Sequence, residues 1–301
     1  MSLKRFALGD DTTDPKGSGP SAFLVTDLEG ASRSTGVVRA AKKVLVDGAK
    51  TLARTETYGW ALLGIANSGA SAGINANPEA VSEALAAFDS AISDLSDAGG
   101  LELRPGKGVP AAEDLPYDAL AAAGVVAATA STVGDLDGAS IGVELGLPIT
   151  ELVAEDLRLR GSLVTTGSIT DLESLEADAL ICGSKVGLID HEIAARLSCR
   201  AIIPGGSVPL TTRAFATSPG ATSSLSRTSS PCVGHFCTSC RGHQRSSLDV
   251  DALALQIQEF VGEKYAEFAT SDKGQFIAAC LASEAFLGTW QDELPFGRPL
   301  A

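Results

Sequence analysis

The segment at residues 139–168 constrains the fold of this chain more than any other. It reads ASIGVELGLPITELVAEDLRLRGSLVTTGS: an apolar strand, a tight turn, an amphipathic helix at about 148–160 and a second apolar strand. This order is typical of a βαβ unit, in which a crossover helix joins two parallel strands. We therefore expect a Rossmann-like parallel sheet in this part of the chain.

The turn of this unit differs from a working dinucleotide-binding turn. Such turns carry Gly-x-Gly-x-x-Gly, so that the backbone can approach a pyrophosphate resting on the helix N-terminus. Here the residues at 144–149 keep only Gly146 of the three glycines, and Glu144 places a carboxylate where the phosphate would approach. The acid expected on a ribose hydroxyl is also missing, with Asp171 the nearest candidate. The pattern favours a structural βαβ unit over a nucleotide site.

Strand and helix patterns flank this segment on both sides. Residues 21–27, SAFLVTD, have the composition of a strand, and apolar residues recur at helical spacing from about Val46. Pro78 opens a helix that ends at Gly99, because proline suits a first turn and glycine stops a helix. The remaining patterns predict a strand, loop and helix over 100–126 and helices at 191–197, 249–268 and 272–287.

A motif at residues 51–74 points to a chemistry. It reads TLARTETYGWALLGIANSGASAGI. It resembles the substrate-binding segment of the glutamate/leucine/phenylalanine/valine dehydrogenase family, whose members read Leu-Ala-x-x-Met-Thr-Tyr-Lys, a short apolar run, and Gly-Gly-x-Lys-x-x-Ile. The ungapped match keeps Leu52, Ala53, Thr57, Tyr58, Ala61, Gly64, Gly69 and Ile74.

The two lysines of that motif are replaced by Gly59 and Ser71. In the family the first lysine binds the substrate carboxylate, and the second, with a lowered pKa, polarises the substrate carbon and activates water. Neither glycine nor serine supplies a cation or a titratable amine. The resemblance therefore implies a divergent member with its catalytic lysines replaced.

Two further stretches resemble the same family. Residues 112–115 read Ala-Glu-Asp-Leu, where the family has Ala-Glu-Asp-Val, and this implies that Asp114 is the general acid/base for the substrate amine. Taken without the resemblance, Asp114 is better interpreted as a surface-loop residue or a helix N-cap. Residues 175–212 also resemble the family, and their last part corresponds to the strand end that contacts the nicotinamide ribose, with Ser207 in place of an asparagine. Asp190 is the expected cap of the helix at 191–197. Gly146 and Ser207 are thus the candidate contacts for NAD or NADP.

The resemblance implies an α/β protein with two domains. We expect a flexible arm at 1–20, an N-terminal substrate and oligomerisation domain at 21–130, and a Rossmann-like domain at 131–270. A C-terminal helix at 271–301 is expected to return to the first domain. The family also implies an amino acid or 2-oxo acid as ligand, and a homo-oligomer.

Residues 213–248 interrupt the family pattern with a segment rich in Ser, Thr, Arg, Cys and His. Three interpretations remain open: a low-complexity loop, a shifted reading frame in the gene, and a zinc site. The zinc site is the weakest, because its ligands would be crowded into twelve residues instead of forming two separated pairs. These ligands would be Cys232, Cys237, Cys240 and His243. We therefore expect no metal.

Composition narrows the class of protein. The 301 residues carry a net charge of −14, which disfavours nucleic acid and anionic membrane surfaces as partners. Apolar runs end within about ten residues, short of the roughly 20 that a membrane helix needs. The N-terminus has no sustained apolar core, so a cytoplasmic location with reduced thiols is expected.

Two hypotheses of function follow. In the first, the chain is an NAD(P)-dependent amino-acid dehydrogenase relative that deaminates an L-amino acid oxidatively, with weak or no activity. In the second, it is a non-catalytic paralogue that serves as a structural or regulatory subunit.

Overall fold

Two compact units make up the chain. The computed structural model describes residues 1–8, 20–97, 100–110, 117–206, 208–217, 250–272, 274–292 and 294. The first unit contains residues 1–115 and 283–301, and the second contains residues 116–282. A mixed five-stranded sheet lies in one and a parallel four-stranded sheet in the other. The expected α/β fold with two domains is therefore confirmed.

The sheet of the first unit has the strand order β1-β2-β4-β3-β5. Strands β3, β4 and β5 are parallel to one another, whereas β2 runs antiparallel to both β1 and β4. The strands are β1 (Ser2–Ala7), β2 (Ser21–Thr26), β3 (Ser34–Ala41), β4 (Ser68–Asn75) and β5 (Leu101–Pro105).

Helices cover both faces of this sheet. Helix α1 (Val46–Leu62) packs through Ala49 and Ala53 against Phe23 and Val25 of β2. On the opposite face Phe88 joins a core with Ala70, Ala72 and Ile74 of β4. That side is built from a 3₁₀ turn (Pro78–Ala80), α2 (Val81–Ala91) and α3 (Ser93–Asp97).

The sheet of the second unit has the strand order β7-β6-β8-β9, with all neighbours parallel. Its strands are β6 (Ser140–Glu144), β7 (Leu163–Gly167), β8 (Ala179–Cys182) and β9 (Ile202–Pro204). Its helices are α4 (Tyr117–Val133), α5 (Thr150–Leu159), α6 (Ile169–Leu172), α7 (His191–Arg196), α8 (Thr212–Thr217), α9 (Val250–Ala269) and the first part of α10 (Gln275–Leu287).

A layered core holds the second unit together. On one face of the sheet, α4, α5 and α9 share a core with Ile141, Val143 and Ile181. On the other face, Leu180 and Ile202 pack with residues of α6 to α8 and the loops beside them. This helix–sheet–helix arrangement is the one that a fully parallel sheet requires, because both of its faces are apolar.

Three boundaries differ from the sequence-based expectation. Residues 2–7 form an edge strand paired with β2, although a flexible arm was expected over residues 1–20. Helix α4 belongs to the second unit, so the division falls at residue 115 and not near 130, because Leu120 and Val125 share the core of Ile141. From Ser283 onward, α10 belongs to the first unit, where Glu284 accepts a 2.7 Å hydrogen bond from the Tyr58 hydroxyl.

Candidate functional site

The family motif at 51–74 forms helix α1 and strand β4, which pack directly on each other. A Cβ atom added at Gly69 would lie 1.8 Å from the carbonyl oxygen of Ala53 and 2.7 Å from the Cβ of Glu56. Only glycine allows this approach. Gly69 is therefore needed for α1 to pack closely on β4.

Gly59 and Ser71 are both buried at this junction. Ser71 is 0% exposed, and it lies between Val25 of β2 and Val37 of β3 in the sheet. Its Oγ has no hydrogen-bond partner among the described residues. Ser71, which the sequence resemblance aligns with the family's second lysine, thus has a buried hydroxyl without a hydrogen-bond partner among the described residues.

Two other candidates from the sequence remain predictions. Asp114 and Ser207 lie outside the described residues. The same is true of most of the segment at 213–248, including the four hypothetical zinc ligands. Within the described ranges, no group of three or more His, Cys, Asp or Glu side chains could hold a metal ion.

A buried ion pair that sequence analysis missed lies beside the motif. Glu56 of α1 accepts a 2.5 Å hydrogen bond from Arg104 of β5, 48 residues later in the chain. Burial raises the pKa of Glu56 to about 7, although the Arg104 guanidinium acts in the opposite direction. A carboxyl that titrates near neutrality can take or release a proton, so Glu56 is a candidate acid/base group. The motif itself gave one signal, an acidic residue among the apolar positions of α1.

The second unit has a topological switch point between β6 and β8. The chain passes from β6 to β7 on one side and then to β8 on the other, so the connections diverge there. In open parallel sheets, ligands bind at the carboxyl ends of the strands at such a point. The last residue of β6, Glu144, and the loop after β8, at 183–184, lie at this place.

Glu144 occupies the hydrogen-bond donors of the switch point. Its Oε2 accepts the backbone N–H of Gly183 at 2.8 Å and that of Ser184 at 3.1 Å. Its Oε1 accepts from the Ser184 hydroxyl. Only 5% of Glu144 is exposed. The sequence predicted a carboxylate at the turn of the βαβ unit, and in the structure this carboxylate accepts three hydrogen bonds from Gly183 and Ser184.

The glycines around this point contact protein atoms. A Cβ at Gly146 would lie 2.7 Å from the Cβ of Ser184 and 2.9 Å from Oε1 of Glu144. A Cβ at Gly205, just after β9, would lie 2.7 Å from the Leu147 side chain. The candidate cofactor residue Gly146 is thus required for close packing of the turn.

The Asp171 carboxylate is also engaged within the protein. It forms a capping box at the start of α6 with Ser168, whose N–H and hydroxyl donate to Oδ2 at 3.0 and 2.5 Å. Hydrogen bonds from Ser168 lower the pKa of Asp171. We therefore assign Asp171 a capping role.

The cysteine nearest the switch point is unsuited to nucleophilic chemistry. Burial raises the pKa of the Cys182 thiol well above its usual value, and the Glu144 carboxylate adds to the effect. Among the described cysteines, Cys182, Cys199 and Cys280 form no disulfide. A thiol held in its neutral form is a poor nucleophile.

In the part of the chain that the structure covers, no helix has the length and apolar character needed to span a membrane.

Solved structures of other proteins share this architecture. No protein-family model and no curated protein matches the chain. The hetero-hexameric glutamate dehydrogenase of Thermus thermophilus superposes with a TM-score of 0.78 at 16% identity, over 95% of this chain and 88% of that one. The L-tryptophan dehydrogenase of Nostoc punctiforme superposes with a TM-score of 0.63 at 14% identity, over 96% of each chain. A glutamate dehydrogenase of Plasmodium falciparum gives 0.68 at 12% identity, over 95% of this chain and 82% of that one. The chain therefore has the two-domain α/β fold of the amino-acid dehydrogenases.

Proposed function

We propose that this chain is a relative of the NAD(P)-dependent amino-acid dehydrogenases with little or no oxidative deamination activity, and that it serves as a structural or regulatory subunit. The observation that carries the proposal is the Glu144 carboxylate at the switch point. It accepts the N–H groups of Gly183 and Ser184 and so places a negative charge at the carboxyl ends of the strands, where an anionic ligand would bind.

The residues of the switch point do not fit the pyrophosphate of NAD or NADP. Two negative charges about 4 Å apart repel by about 4 kcal/mol at the effective dielectric constant of a protein surface. Displacing Glu144 would also leave a buried carboxylate without its hydrogen bonds. In addition, Gly146 and Gly205 pack closely against side chains of the protein, Gly146 against Ser184 and Glu144 and Gly205 against Leu147.

Loss of the lysines supports the same conclusion. Removal of a positioned general acid/base reduces rates by about 10²–10⁴-fold, or about 3–5 kcal/mol of transition-state stabilisation. Gly59 has no side chain, and the Ser71 hydroxyl is sealed from solvent. A carboxylate anchor, a proton-transfer group and a phosphate site would all need replacement for turnover.

The retained fold supports the role of a subunit. The Thermus thermophilus protein of similar structure is hetero-hexameric and has leucine bound. By analogy, this chain would assemble with copies of itself or with an active homologue, and would respond to an amino acid or a 2-oxo acid. Its location would be the cytoplasm.

The deciding experiment is a fluorescence titration of the full chain with NADH and NADPH. We expect no saturable binding at micromolar nucleotide. As a matched pair, Glu144→Ala removes the competing carboxylate, and Glu151→Ala removes an exposed acid on α5. The affinity for pyrophosphate should rise at least tenfold in Glu144→Ala and should not change in Glu151→Ala. Only the first variant frees the backbone N–H groups of Gly183 and Ser184. Micromolar binding by the unaltered chain would overturn the proposal.

An active dehydrogenase is the second candidate, and the pKa of Glu56 favours it. A carboxyl titrating at about pH 7 could replace the missing amine as a base, together with Asp114. Assays with a panel of L-amino acids and either nucleotide separate the two candidates. Turnover that falls at least 100-fold in Glu56→Gln would support this alternative. We expect no turnover by the unaltered chain or by the double variant with Gly59→Lys and Ser71→Lys, because Glu144 still accepts the N–H groups of the switch point in both.

A further inference from the structure

Strand β7 lies at an edge of the parallel sheet and lacks the features that normally protect an edge from pairing. Such features are charged side chains, proline and very short length. Edge strand β1 has Lys4 and Arg5, and edge strand β5 has Glu102 and Arg104. Strand β9 has only three residues and ends at Pro204. Of the four sheet edges that the structure describes, only β7, with the sequence LVTTG, has five residues, no charge and no proline.

The outer side of β7 presents backbone hydrogen-bonding groups at two residues. Leu163 donates its N–H to the residue before β6 at 2.8 Å, and the C=O of Gly167 accepts an N–H from the loop after β6 at 2.9 Å. Backbone groups of successive residues in a strand point to opposite sides. The N–H and C=O groups of Val164 and Thr166 therefore point away from β6, and no described strand lies beyond them.

The side chains along this edge are uncharged, and two large apolar ones are exposed. Leu163 is 66% exposed, and Leu159, the last residue of α5, is 81% exposed. Residues 161–168, GSLVTTGS, contain no charged side chain, although the chain has a net charge of −14. Copies of so acidic a chain repel each other. An uncharged strip is therefore the surface through which two copies can approach with the least repulsion.

The edge is also complementary to itself. In an antiparallel pair with a twofold axis at Thr165, Val164 lies opposite Thr166 of the second copy, and the two exchange both backbone hydrogen bonds. The outward N–H and C=O groups of both copies are then all paired. Thr165 lies opposite its own counterpart, which is a favourable cross-strand pair. Leu163 lies opposite Gly167, where no side chain competes for the space.

We propose that a second copy of this chain pairs with β7 in antiparallel orientation, so that two four-stranded sheets join into one. The self-complementary register and the absence of charge favour a second copy over a partner of different sequence. This inference deepens the subunit role of the proposed function, on which it rests, by naming the partner and the surface. Pairing through β7 and nucleotide binding are measured separately, so the failure of one is distinguishable from the failure of the other.

The first test is sedimentation equilibrium of the full chain over a range of concentrations. We expect a reversible dimer. Thr165→Lys should weaken it about tenfold or more, because two like charges would then lie directly opposite each other at the twofold axis. The matched control is Thr51→Lys, at an exposed threonine of α1, which should leave the association unchanged. Both positions are exposed, and circular dichroism checks that both variants are folded.

The second test locates the contact. Across a non-hydrogen-bonded antiparallel pair the Cα atoms are about 4.5 Å apart, within the range that a disulfide spans. Oxidised glutathione should therefore link two chains of Thr165→Cys through position 165, as peptide mass spectrometry would show. Thr51→Cys and the unaltered chain should show no such link.

Three outcomes would overturn the proposal. The first is a chain that stays monomeric at all concentrations, and the second is an association that Thr165→Lys does not weaken. The third is a Thr165→Cys variant that forms no link between chains at position 165. A disulfide within one chain from position 165 to Cys232, Cys237 or Cys240 belongs to this third outcome, and it would mean that the chain's own segment at 213–248 covers the edge.

Discussion

At the scale of the residue, Glu56 has the most unusual environment among the described acids. Its pKa is raised from 4.5 to about 7, because burial disfavours the charged form more than Arg104 favours it. Between pH 4.5 and about pH 7, the folded protein therefore binds more protons at this position than the unfolded chain does. Stability contributed by Glu56 is greatest at low pH and is lost as the pH rises.

We therefore expect the free energy of unfolding to fall by about 2–3 kcal/mol between pH 4.5 and pH 7 on account of Glu56. Glu56→Gln keeps an acceptor for Arg104 and removes the titration, so its unfolding free energy should change less over that interval. Urea denaturation at a series of pH values measures the difference between the two proteins. Parallel pH curves for Glu56→Gln and the unaltered chain would show that this carboxyl does not titrate there.

Single residues could be predicted from the sequence where their partners are close along the chain. Asp190 was expected to cap a helix, and it accepts the N–H groups of Glu192 and Ile193 at 2.9 Å. Glu56 and Arg104 were not predicted as a pair. Nothing in a single sequence shows which strand comes to lie beside a given helix.

At the scale of the element, the packing of α1 on β4 rests on Gly69. Helix α1 was predicted from its apolar spacing, and it begins at Val46 as expected. Strand β4 was not predicted, because SGASAGIN lacks the β-branched and aromatic residues that favour strands. Its residues are small because it is central to the sheet and a helix lies directly on it.

Gly69→Ala should destabilise the protein by about 3 kcal/mol or more, since the added methyl would lie 1.8 Å from the Ala53 carbonyl oxygen. The matched control is Gly48→Ala in helix α1, where an added Cβ meets nothing within 4 Å. That change should stabilise by about 0.5–1 kcal/mol through the lower entropy of the unfolded chain. Denaturant midpoints of both variants provide the measurement. Equal tolerance of the two alanines would contradict close packing at Gly69.

At the scale of the whole molecule, the net charge of −14 is the dominant electrostatic feature. Like charges repel across a folded chain, and this repulsion favours expansion. The exposed ion pairs, such as Lys50 with Asp47 and Arg160 with Asp156, contribute little in comparison.

Raising sodium chloride from about 0.05 to about 0.5 M should therefore stabilise the fold, since it shortens the screening length severalfold. We expect a gain of about 1 kcal/mol, or about 2–4 °C in melting temperature. Differential scanning calorimetry at several salt concentrations measures it. A melting temperature that falls with salt would mean that attractive pairs outweigh the net repulsion.

The sequence by itself determined the βαβ unit at 139–168, helix α1, the cap at Asp190 and the absence of lysine at positions 59 and 71, because periodicity, capping and residue identity are local properties. Only the tertiary structure decided which side chains contact each other at the junction of α1 and β4 and at the switch point. The donors that Glu144 accepts lie 39 and 40 residues away from it, and Arg104, the partner of Glu56, lies 48 residues further along the chain. Such contacts depend on how the chain brings distant residues together, and a burial pattern read along one chain does not contain that information.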